Sequence, residues 1–319
     1  MSNGSNATGT TSITQRGVVW GFVGVLAFSF SLPATRVAVE DLDATFVGLG
    51  RALVAAALAA AFLLATRAPR PARKDLPRFL IVGLGVVIGF PLFTSLALKH
   101  LESAHASVVV GLLPAATAVF AVLRANERPS KAFWLSATAG LVAVLAFAAT
   151  QGVSGIAAAD LLVLAAVASA GLGYAEGGAL SRTYGGPQTI SWALLVTAPF
   201  LIVPVALAAR EPIHADAEAW LGFAYVSAVS MFLGFFAWYR GLALGGVAKI
   251  GQTQLVQPVL TLIWSALLLN EHVTAAMVVA ALAVVACVLA TQRTRASAQE
   301  GRAPVSARRL AGRERPAQP

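Results

Sequence analysis

Apolar residues run along this chain in stretches near twenty residues long, separated by short polar joints such as "TRAPRPARKD" and "RANERPSK". About twenty residues of helix cross a hydrocarbon layer roughly 30 Å thick, so each stretch has the length of a membrane span. Ten are read, at 17–38, 44–66, 77–98, 104–123, 131–150, 157–180, 187–209, 218–241, 248–269 and 273–291. Lipid offers no partner for free backbone N–H and C=O groups, and a barrel would alternate in shorter segments, so the spans are predicted to be helices. The expected fold is an all-α polytopic membrane protein with ten transmembrane helices.

The pattern occurs twice. "PAATAVFAVLRANE" (114–127) returns as "PVLTLIWSALLLNE" (258–271) at an offset of 144, which pairs Pro114 with Pro258, Thr117 with Thr261 and Glu127 with Glu271. The same offset carries Leu98 onto Leu242 and lays spans 1–5 on spans 6–10. Five spans per unit is odd, so the second unit enters the membrane from the other side and the halves are predicted to be inverted. The divisions are a leader (1–16), a first repeat (17–150), a second repeat (157–291) and a basic tail (292–319). Inverted repeats are the architecture of secondary transporters, an analogy of fold rather than a proof of activity.

Composition agrees with lipid as the solvent: 58% of residues are hydrophobic, 12% are charged, and mean hydropathy is +0.77. Of the 23 Lys and Arg residues, nineteen fall on the side that carries both termini, which predicts a multi-pass cell-membrane protein with cytoplasmic ends. The net charge of +9 is thereby a topology signal and implies no nucleic-acid partner. The tail "QRTRASAQEGRAPVSARRLAGRERPAQP" has no apolar period and is expected to be disordered. The first span lacks a cleavage site, carries Pro33 and Arg36, and has a counterpart in the repeat, so it is not read as a signal peptide. The single Cys287 permits no intramolecular disulfide.

Two five-span units, each with an internal proline and a terminal Glu before its last helix, resemble the EamA-type members of the drug/metabolite transporter superfamily. The resemblance rests on "GVVWGFVGVLAFSFSLPATRVAV", "SLALKHLESAHASVVVGLLPAATAVFAVLRANE" and "WYRGLALGGVAKIGQTQLVQPVLTLIWSALLLNE", and covers roughly residues 16–291. It implies an inner-membrane exporter of amino acids, other metabolites or toxic compounds, with a small-molecule cargo. It also implies a central cavity lined by spans 1, 3, 4, 6, 8 and 9. Polar groups within a membrane are costly unless they meet water, a ligand or each other. The cavity candidates are therefore Phe28, Ser31, Thr94, Ser95, Ser107, Tyr174, Glu176, Trp238, Gln252, Gln254 and Gln257. The competing readings are backbone bonding for the hydroxyls, an aromatic belt for Trp238 and helix-to-helix bonding for the glutamines.

Two charges well inside spans stand out, Arg51 and Glu176. Glu176 is read either as a site for a coupling proton or a substrate amine, or as the partner of a basic residue near the cytoplasmic edge. Pro114 and Pro258 are expected to be paired kinks, and Glu127 and Glu271 to end a gate element used twice. Gly17, Gly21, Gly241 and Gly245 have the small-xxx-small spacing that lets helices approach closely. No catalytic, metal or cofactor site is read. The four histidines have no HxxxH or HExxH spacing, and no GK[ST] loop or Gly-x-Ser-x-Gly elbow is present. The alternatives to a transporter are a membrane-embedded enzyme and a membrane scaffold or sensor.

Overall fold

A computed structural model of the chain describes residues 5–124, 130–150, 158–210, 214–246 and 250–302. Its first half comprises α1 (Ser5–Ser29), α2 (Ser31–Asp41), α3 (Arg51–Ala65), α4 (Leu76–Val82), α5 (Phe90–Leu98), α6 (Ser103–Val110), α7 (Leu113–Arg124) and α8 (Lys131–Thr150). The second comprises α9 (Ala158–Tyr184), α10 (Gly186–Ala208), α11 (Ala217–Ala224), α12 (Phe235–Gly245), α13 (Gln257–Leu269) and α14 (Ala275–Arg302). No strand occurs among the described residues. Seven helical runs are long and apolar enough to cross a membrane, and three shorter apolar helices, Lys131–Phe147, Thr253–Leu269 and Ala275–Ala290, stand where the other three spans are expected. The last helix continues beyond the expected span end at 291 to Arg302, so the start of the basic tail is helical.

Several spans are interrupted, and local chemistry explains the interruptions. α1 and α2 break at Phe30 because Pro33 has no N–H to give the Ser29 carbonyl four residues back. That carbonyl accepts the Thr261 hydroxyl of α13 at 2.8 Å instead, and the Trp264 indole N–H reaches the Ser29 hydroxyl at 3.0 Å. The position equivalent to Pro33 is Gly177, which keeps its N–H, and α9 runs unbroken through it. Wide π-helical turns fill Gly83–Gly89 between α4 and α5, and Tyr225–Gly234 between α11 and α12; the offset of 144 superimposes them. It also superimposes the starts of α7 at Leu113 and α13 at Gln257.

Packing follows the duplication. α1 lies along α12, and its counterpart α9 lies along α5 and the Gly83–Gly89 turn; α3 packs on α10, and α8 on α14, each against its own equivalent. At the α1–α12 crossing a Cβ on Gly17 would sit 2.8 Å from the Gly245 nitrogen, and one on Gly241 2.7 Å from the Gly21 nitrogen. Only hydrogen side chains let the two backbones approach this closely. Elsewhere the surface is strongly apolar, with Leu64 at 78%, Leu135 at 74% and Val203 at 64% exposure, as suits helices whose outer faces meet lipid.

Candidate functional site

The interruptions meet at one place. A small cavity is lined by Phe28, Ser31 and Leu32 at the α1–α2 break, and by Arg51 at the end of a π-helical turn. Val86, Phe90 and Pro91 contribute from the first repeat's π-helical region, and Ser230, Met231 and Phe235 from its counterpart. Ala170 and Tyr174 of α9 and Gln257 at the start of α13 complete it. Irregular helices within a membrane are tolerated where they line a cavity, because their freed backbone groups need partners other than lipid.

One wall is aromatic. The Phe28 ring centroid lies 5.0 Å from Phe235 and 6.4 Å from Tyr174, and Trp238 lies behind them, 6.3 Å from Phe28 and 5.5 Å from Tyr174. Trp238 and Tyr239 are fully buried, so they belong to the helix-packed interior and not to a lipid-facing belt. Trp20 does sit at the surface, under the Arg240 guanidinium at 4.8 Å.

The polar atoms are few. The Ser31 and Ser230 hydroxyls hydrogen-bond each other at 2.6 Å across the two halves, and Gln254 Nε2 donates to Gln257 Oε1 at 3.4 Å. Arg51 is 2% exposed; its Nη1 donates to the Thr35 hydroxyl at 3.3 Å, while Nε and Nη2 have no hydrogen-bond partner among the described residues. The second span thus contributes to the cavity wall, beyond the spans 1, 3, 4, 6, 8 and 9 that the family resemblance implies. Arg51 stood out as a charge within an apolar run; Ser230 carried no comparable signal.

Other candidates are placed elsewhere. Thr94 bonds the Phe90 carbonyl and Ser107 the Ala104 carbonyl, both at 2.7 Å within their own helices. Ser95 is buried without lining the cavity. Gln252 lies on a 3-10 segment, Gly251–Val256, with its side chain outside the described residues, as is Glu127 altogether. Pro114 is the second residue of α7, directly after the turn at Gly111–Leu112, and Pro258 is the second residue of α13. A proline there gives up an N–H that the first helical turn does not use.

Two polar networks lie outside the cavity wall. In one, Glu176 pairs with Arg78 of α4 and Arg124 of α7, and the Tyr184 hydroxyl donates to Asp75 at 2.6 Å. In the other, Glu271 accepts the Ser103 and Ala104 amides at 2.9 and 2.8 Å, and His105 contacts Asp160 at 2.7 Å. Asn270 adopts a left-handed conformation, φ 53°, that ends α13 and turns Glu271 toward the N-terminus of α6.

Comparison with known proteins gives a consistent picture. The EamA-like transporter family matches twice, at residues 15–149 and 157–292. The chain is 48% identical over 281 residues to the uncharacterized transporter YdeK of Bacillus subtilis (strain 168), covering 88% of this chain and 98% of that one. A solved crystal structure shares the fold with a TM-score of 0.61 at 19% identity, covering 86% of this chain and 97% of that one.

Proposed function

The chain belongs to the EamA-like transporter family, and from that premise we propose that it is a secondary active exporter. Its cargo is a small amphipathic metabolite, such as an amino acid, or a drug-like compound. In this reading all ten helices cross the cell membrane as two inverted repeats with both termini in the cytoplasm. The Lys and Arg bias and the recurrence at 144 residues support that arrangement.

The observation that carries the proposal is the cavity. It lies between the repeats, at matched interruptions of their helices, with a few polar atoms set into an aromatic wall. A cavity of this kind, rocked between two ends, is what alternating access needs. The Glu176 and Glu271 networks are the proposed closures of the two ends. Glu176, held by two arginines, serves as part of the cytoplasmic closure rather than as a proton carrier.

Purified protein in proteoliposomes is expected to exchange at least one member of a panel of amino acids, carboxylic acids and lipophilic cations. Folded protein that moves none of them would overturn the reading.

A further inference from the structure

The wall of the cavity holds a single formal charge, Arg51, and no carboxylate among its described residues. The position equivalent to Arg51 in the second repeat is Leu195, so helix packing in this architecture does not need a cation there. An arginine inside a span is expensive and calls for a partner. Its Nη1 end is used by Thr35, but Nε and Nη2 are unpartnered. Those two nitrogens form one edge of the guanidinium plane, the edge on which a carboxylate docks through two parallel hydrogen bonds.

We propose that Arg51 anchors a carboxylate group of the cargo, whose apolar or aromatic body lies against Phe28, Tyr174 and Phe235. The assignment rests on the transport reading above. One guanidinium balances one carboxylate; a phosphate monoester, with a charge of about −1.5 to −2, would leave uncompensated negative charge in a low-dielectric site. Ser31, Ser230 and Gln257 supply hydroxyl and amide atoms for whatever second polar group the cargo bears.

The test uses four compounds with one aromatic body: hydrocinnamate, phenylalanine, phenylalaninamide and phenethylamine. Full-length protein is assayed for ligand-induced thermal stabilisation in nanodiscs and for counterflow in proteoliposomes. The two carboxylates are expected to stabilise and exchange, and the amide and amine are not. Arg51→Leu, which installs the residue of the second repeat, should weaken carboxylate binding about tenfold or more, the loss of a charge-assisted two-bond contact. Arg51→Lys, which keeps the charge without the fork, should fall between and serves as the readout if the leucine variant does not fold.

Equal binding of the amide or amine, or carboxylate binding that survives in both variants, would overturn the anchor. So would silence toward both carboxylates, while exchange of other compounds by the same vesicles would leave the transport reading standing. Arg51-dependent carboxylate binding without any exchange would keep the anchor and remove the transport reading.

Discussion

Truncating Glu271 to Ala should destabilise the protein through a helix it does not belong to. α6 begins without a side-chain cap of its own, and its first amides, on Ser103 and Ala104, are fully buried. The Glu271 carboxylate accepts both amides and also the Ser103 hydroxyl, at 2.9 Å. In Glu271→Ala the hydroxyl keeps Ser265 at 2.7 Å, so the loss falls on the two amides and on the favourable placement of an anion at a helix N-terminus. A buried donor left without a partner costs about 1–3 kcal/mol. Glu271 is itself only half-buried, so water can enter the vacated space, and a total of about 2–3 kcal/mol is expected. At about 2 °C per kcal/mol this lowers the melting temperature by roughly 4–6 °C. Thermal unfolding in nanodiscs, followed by tryptophan fluorescence, measures the shift. An Ala variant that melts within about 1 °C of the wild type would refute the capping argument.

Glu176→Gln removes the anion shared by Arg78 and Arg124, but those side chains are 33% and 40% exposed and regain water, so the loss is about 1–2 kcal/mol. The same variant should leave the pH dependence of export unchanged while increasing the cytoplasmic labelling, by a thiol reagent, of a cysteine introduced at Ala170 in the cavity wall; a lost pH dependence would restore Glu176 as a proton site. Gly241→Leu places a side chain into the α1 backbone and should cost about 3 kcal/mol or prevent folding, measured as the yield of monodisperse protein. Ser31→Ala and Ser230→Ala should show a coupling of about 1 kcal/mol in a double-mutant cycle of unfolding free energies, since each hydroxyl is the other's partner.

Much of the architecture was legible in the chain. Seven helices long and apolar enough to cross a membrane, the duplication at 144 residues and the family follow from hydropathy summed along helices and from recurring motifs. These are one-dimensional properties that no neighbour can alter. Even the small-xxx-small glycines announced a close crossing, although not that Gly17 and Gly21 meet Gly245 and Gly241. The identity of the cavity wall was not available in this way. Thr94, Ser95 and Ser107 look as suitable as Ser31 in sequence, yet Thr94 and Ser107 bond their own helices, Ser95 is buried off the cavity, and Ser31 faces Ser230. Trp238 reads as an interface aromatic and is packed in the interior. Arg51 reads as an isolated cost in the second span, and only the assembled bundle sets it in the wall. The pattern along the chain decides which segments enter lipid, because transfer free energy depends on composition over about twenty residues. Which face of each helix meets a neighbour, a partner or the cavity depends on rotation and close approach between distant segments, and tertiary packing alone decides that.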